Sequence, residues 1–205
     1  LNMYGGIVWP LENLQELQKW AHSHDIVVHL DGARLFNAAC AAGVEVKTIV
    51  DTVDSAMFCL SKGLGAPIGS MLVGSEEFLL KARRVRKRLG GQMRQVGILA
   101  SAGILALTEG VERLHEDHAL ASSIAQRIAQ EVPTLQPTHE MQTNILIYKL
   151  PEEKDPNDLA AQLAKEDVLV CPFPGNSVRI VTHLDVGEEE ARRLISALKA
   201  YFEKN

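Results

Sequence analysis

IVVHLDGAR (residues 26–34) and SAMFCLSKGLGAPIG (residues 55–69) share one pattern: a short apolar run that ends in a loop carrying charge and glycine. Runs of this length and composition read as strands buried on both faces. Helical spacing surrounds them. Leu11, Leu14, Leu17, Trp20 and Ala21 recur at three and four residues, predicting a helix over 11–24 that Pro10 opens. The Asp31-Gly32 turn leads to short helices over 33–42 and 46–52. A further strand is expected over 70–73, then a basic helix over 76–89 that Gly90-Gly91 stops. A long small-residue helix follows over 95–114, and its apolar part, 96–107, reads as a closely packed core helix. Strands alternating with helices predict an α/β domain with a parallel or mixed sheet.

The last ninety or so residues read differently. Helices are expected over 117–131, 157–167 and 187–202, with strands over 143–150, 168–171 and 177–181. Prolines 133, 137, 151, 156, 172 and 174 punctuate the joints. This predicts a smaller α+β domain over 116–205 behind a larger one over 1–115.

Composition bounds the function. The chain has 205 residues, 46% apolar and 23% charged, which excludes disorder, collagen and small disulfide scaffolds. A net charge of −5 argues against nucleic acid or an anionic membrane as the main partner. Three scattered cysteines (Cys40, Cys59, Cys171) fit reduced thiols in the cytoplasm. The apolar run 96–107 is too short to span a bilayer. Two histidine pairs, His22/His24 and His115/His118, lack a third ligand, so no metal site is expected.

Two strand ends carry the chemistry. A lysine in an uncharged stretch, Ser61-Lys62-Gly63, is costly to desolvate, and desolvation frees its amine as a nucleophile. A surface turn whose lysine points to water has equal standing on spacing alone. Asp31 in His29-Leu30-Asp31-Gly32-Ala33-Arg34 could cap the next helix. It could also face a ligand, because open α/β sheets bind ligands at the carboxyl ends of their strands. A carboxylate, a guanidinium and an amine at such ends suit pyridoxal phosphate (PLP). That cofactor uses a lysine Schiff base and an aspartate at its pyridinium nitrogen.

HLDGARLFNAA (29–39), CLSKGLGAPIGSMLVG (59–74), RKRLGGQMRQVGILA (86–100) and VRIVTHLDV (178–186) together resemble the low-specificity L-threonine aldolases. The likeness runs over essentially the whole chain with its motifs in order. It implies part of a PLP fold-type-I (aspartate-aminotransferase-like) large domain with a mixed, mostly parallel sheet, plus a small C-terminal α+β domain. Lys62 resembles the family's Schiff-base lysine and Asp31 the partner of the pyridinium nitrogen. Arg34 resembles the arginine beside the cofactor's phenolic oxygen, near the substrate carboxylate. Arg179 resembles the small-domain arginine that clamps that carboxylate, a task suited to a planar guanidinium fork. Residues 81–94 hold seven cations (Lys81, Arg83, Arg84, Arg86, Lys87, Arg88, Arg94) and no acid. Arg94 matches a cofactor-phosphate position and Lys87 a position near subunit contacts, either of them able to serve a neighbouring protomer's site.

The implied reaction is cleavage of L-threonine or L-allo-threonine to glycine and acetaldehyde, in threonine catabolism and glycine formation. The implied assembly is a homo-oligomer, a dimer or homotetramer with shared sites. A β-eliminating lyase or a phenylserine-type aldolase would share Lys62 and Asp31. A truncated, non-catalytic partner of a full-length relative is the alternative outside enzymology. The resemblance also implies an upstream segment with further strands, the phosphate turn and the catalytic base. None of these occurs in the 205 residues.

Overall fold

The structure, a computed structural model, describes residues 5–203. They form two compact units, one over Val8–Leu114 and one combining residues 5–7 with 115–203.

In the first unit α1 (Leu11–His22) follows Pro10, and it buries Leu14 and Ala21. Next come β1 (His29–Asp31), α2 (Leu35–Ala42), α3 (Val46–Val50), β2 (Ser55–Cys59) and β3 (Ser70–Gly74). The sheet has the order β1-β2-β3 and is mixed: β1 and β2 are parallel, β2 and β3 antiparallel. Ala56 and Phe58 of β2 point into the core, where Phe58 meets Phe36 of α2 edge to face at 5.2 Å. The alternate residues Ser55, Met57 and Cys59 are only half-buried. The expectation of strands buried on both faces is therefore corrected. β1 is just three residues long, Ile26 and Val27 precede it exposed, and every residue of β3 is exposed. α2 packs on the Ala56/Phe58 face, and Phe78 of the following helix approaches the opposite face at Gly74, the partner of Ser55.

α4 (Glu76–Arg88) is capped by Ser75 Oγ, which accepts the Phe78 N–H at 3.3 Å. Acids in its first turn and bases in its last complement the helix dipole. The expected helix over 95–114 breaks up. α5 (Gly97–Leu105) runs into a π-helical turn at Ala106–Gly110, and α6 (Leu114–Glu131) starts afresh. The core-helix reading of 96–107 is also corrected, since Ile98 is 83% exposed and Ile104 64%.

The second unit adds β4 (Gln136–Pro137), β5 (Ile145–Lys149), α7 (Pro156–Ala164), β6 (Cys171–Phe173), β7 (Ser177–Val181) and α8 (Glu188–Glu203). Its antiparallel sheet has the order β4-β5-β7-β6. Alternation along the strands sends Leu146, Tyr148, Val178 and Ile180 into a core with Ile124, Ile128, Leu159, Leu163, Leu194 and Leu198. The strand expected over 168–171 forms later, at β6, after Val168 has turned into that core. Two buried polar side chains are paired here: Asn144 Nδ2 donates to Thr182 O at 2.7 Å, and Thr182 Oγ1 to Asp117 O at 2.7 Å. Thr182 of the VRIVTHLDV motif therefore ties β7 to α6. Among the described residues, no helix is long and apolar enough to cross a membrane.

Candidate active site

Because β1 and β2 are parallel, their carboxyl ends lie side by side, with Asp31 in register with Met57. The Gly32 N–H donates to Met57 O at 2.9 Å and fixes the corner against β2. Asp31 is exposed, and its Oδ1 accepts the Ala33 N–H at 3.3 Å. One carboxylate oxygen thus closes a local turn at Ala33 rather than capping α2, whose N-cap position is Arg34 with no side-chain cap hydrogen bond, and Oδ2 has no protein partner among the described residues. Leu35 N donates to Gly32 O at 2.7 Å, so the chain turns at once into α2 with half-buried Arg34 as the residue before it.

Lys62 lies in a loop whose neck is closed by backbone hydrogen bonds. Leu60 N donates to Gly69 O at 2.9 Å, Ala66 N to Leu60 O at 3.0 Å and Gly65 N to Lys62 O at 3.0 Å. The lysine is half-buried, and its amine has no hydrogen bond or ion pair among the described residues. Gly63 is required beside it, since a Cβ there would fall 2.6 Å from Oδ1 of buried Asn37 and 3.2 Å from Cδ2 of buried Leu114.

Asp31 and Arg34 thus follow the carboxyl end of β1, and Lys62 that of its parallel neighbour β2. Lys87, on α4, and Arg94, between α4 and α5, are exposed on the same unit and make no ion pair among the described residues. Arg179 belongs to the other unit. It stands on β7, on the sheet face turned from the core, in register with Ile147 and Cys171. Its guanidinium carbon lies 5.5 Å from the centre of the Phe173 ring. Phe173 escaped the sequence reading. Its only signal there is the run Cys171-Pro172-Phe173-Pro174, an aromatic fixed between two prolines.

The histidine pairs gather no ligand set, and no group of three or more metal-binding side chains exists among the described residues. His22 instead serves α1: its Nε2 lies 3.1 Å from both carboxylate oxygens of Asp54. The Val28 N–H donates to Asp54 Oδ2 at 2.6 Å. That bond first, and His22 second, lower the Asp54 pKa.

The family model for beta-eliminating lyases matches residues 1–150, a span that includes the Asp31 corner and the Lys62 loop. The chain belongs to the beta-eliminating lyase family. The chain is 40% identical over 200 residues to the low specificity L-threonine aldolase of Escherichia coli K12, covering 98% of this chain and 58% of that protein. It is 36% identical over 200 residues to low-specificity L-threonine aldolase 1 of Arabidopsis thaliana, covering 95% and 55%. The chain therefore spans little more than half the length of these relatives. Among solved structures, the threonine aldolase of Leishmania major superposes with a TM-score of 0.73 at 18% identity, over 94% of this chain and 57% of that one. At that identity the likeness concerns the fold, which is the α/β fold of these type-I enzymes.

Proposed function

We propose that this chain carries the lysine-bearing part of a PLP-dependent aldolase that cleaves L-threonine and L-allo-threonine to glycine and acetaldehyde. The observation that carries the reading is the pairing of β1 with β2. It sets an aspartate and a lysine, neither of them in an ion pair among the described residues, at neighbouring carboxyl ends of parallel strands. The donor set fits the cofactor. Asp31 keeps one oxygen open, Lys62 Nζ is unengaged, and Gly63 lets the loop pack tightly beneath it.

When bound, PLP supplies an aldehyde carbon and an electron-withdrawing ring. Lys62 would hold the cofactor through its amine. The Asp31 carboxylate would keep a proton on the cofactor's ring nitrogen, because an adjacent negative charge favours the protonated form. Arg34, three residues beyond Asp31, would serve the phenolic oxygen. Arg179 grips both oxygens of the substrate carboxylate. Arg94, with Lys87, offers cationic partners for the phosphate or for a neighbouring protomer's site.

In this reading the unit over Val8–Leu114 belongs to the cofactor-binding domain, and the remainder is the small domain. Exposed Leu89, Ile98 and Ile104 support assembly into a cytoplasmic homodimer or homotetramer. Threonine breakdown with glycine formation is the setting. The family's description keeps β-elimination as a second reading, and an α-keto acid in place of an aldehyde product identifies it.

The test is borohydride reduction of the 205-residue chain with PLP, followed by peptide mass mapping. A pyridoxyl adduct confined to Lys62 and absent from Lys62→Ala is expected. An adduct scattered over surface lysines contradicts the assignment.

A further inference from the structure

We propose that Phe173 is a positioning residue, a rigid aromatic platform that orients the Arg179 guanidinium for a substrate carboxylate. The proposal rests on the role given to Arg179 above. At 5.5 Å from the ring centroid, the guanidinium carbon is within the range of about 6 Å for a cation–π contact. Cys171 is the cross-strand partner of Arg179 and Ser177 that of Phe173, which makes Phe173 the diagonal neighbour of the arginine on one sheet face.

Nothing else among the described residues orders this charge. Arg179 makes no ion pair there, and its Nε is buried without a hydrogen-bond partner. An arginine left so would sample many rotamers, and any ligand that gripped it would have to freeze them. The ring lies beside the guanidinium, and the protein closes off Nε. The edge carrying the two Nη groups remains, and a carboxylate can take it with two parallel N–H···O bonds.

The platform is fixed before a ligand arrives. Pro172 and Pro174 lock their own φ angles, and each restricts the residue before it to extended backbone, so Cys171 and Phe173 are both constrained. β6 is an edge strand, where the missing proline N–H costs no ladder bond. Beyond Pro174 the chain reverses through Gly175 and Asn176, both at positive φ, into β7. That turn is tied down: Leu150 N donates to Asn176 O at 2.9 Å, and Asn176 Nδ2 to Pro151 O at 2.9 Å. Aliphatic side chains at 173 would fill the same volume but lack the negative ring face that attracts the cation.

The test is NMR of the arginine Nε–Hε groups in the whole 205-residue chain, titrated with glycine as the carboxylate probe. The Arg179 signal is assigned by its loss in Arg179→Lys. In the parent chain it is expected upfield, from the ring current of Phe173, and to move on glycine addition. Phe173→Leu should return it to the ordinary arginine position and weaken glycine by about two- to fivefold, and Phe173→Tyr should restore both. If the leucine variant loses its fold, Phe173→Met, which keeps the bulk without the ring, repeats the comparison. An unmoved signal in the leucine variant, or glycine affinity equal to the parent's, overturns the platform alone. A parent signal that ignores glycine, whatever Phe173→Leu does, overturns the carboxylate role of Arg179 and the proposal with it.

Discussion

His139 Nε2 lies 2.9 Å from the carbonyl oxygen of Gly5, across 134 residues of chain. One residue on, Thr143 Oγ1 donates to Gly6 O at 2.9 Å from a fully buried position. The start of the described chain is thereby stitched to the second unit. Gly6 has φ +78, and a Cβ there would fall 2.2 Å from Thr143 Oγ1. Thr143→Val leaves a carbonyl without its donor and should cost about 1–3 kcal/mol. Gly6→Ala should cost at least as much, because strain is added to the lost bond. Urea denaturation reads both, and a neutral Gly6→Ala would show the stitch to be dispensable.

Gly63→Ala forces a methyl against Asn37 Oδ1 and Leu114. The overpacked site should lose about 1–3 kcal/mol. The loop should also move, so that the Lys62 adduct with PLP forms less completely at equal cofactor. A thermal shift together with the borohydride yield checks this, and a full yield from the alanine variant would detach Gly63 from the lysine's placement.

Acid stability should depend on Asp54. Its folded pKa lies below the ordinary 3.8, mainly through the Val28 N–H and then through His22. Stability from this source is complete above the ordinary value and disappears as pH falls through the lower folded one. Asp54→Asn should flatten the acid limb of a denaturation profile taken below about pH 4. Parallel limbs for the two proteins would remove Asp54 from the account.

Tyr201 governs the alkaline side. Its hydroxyl donates to Asp158 Oδ2 at 2.9 Å, and burial first, then that contact, raise its pKa from 10 to about 12. The contribution is whole below 10 and is lost as pH rises through the folded value. Tyr201→Phe should cost about 0.5–1.5 kcal/mol at neutral pH. It should also shallow the alkaline limb without abolishing it, since buried Tyr148 titrates near 12 as well. An unchanged limb would count against the hydrogen bond.

Ile98 and Leu105 lie seven residues apart on α5, 83% and 53% exposed. If they meet a second copy, Ile98→Asp with Leu105→Asp should lower the mass measured by sedimentation equilibrium and leave helix content intact. An unaltered mass would place self-association elsewhere.

Local chemistry alone determined a good deal of this protein. Helix starts at Pro10, Ser75 and Asp155, the stop at Gly90-Gly91, and the strand ends at Asp31 and Cys59 depend on backbone preferences within a few residues. Those preferences are written in the sequence. The candidate site residues Asp31, Arg34 and Lys62 were legible for the same reason: each lies just beyond an apolar run. Tertiary structure alone decided burial and pairing, because both depend on partners distant in sequence. The runs 26–30 and 96–107 carry the apolar composition of a core, yet Val27 and Ile98 stand in the open. Composition records what a surface could be packed against, and the described residues leave these positions uncovered. The ring under Arg179 was invisible for a related reason. Residues 173 and 179 become neighbours only when β6 and β7 pair in the observed register, and a slip of one residue would put them on opposite faces.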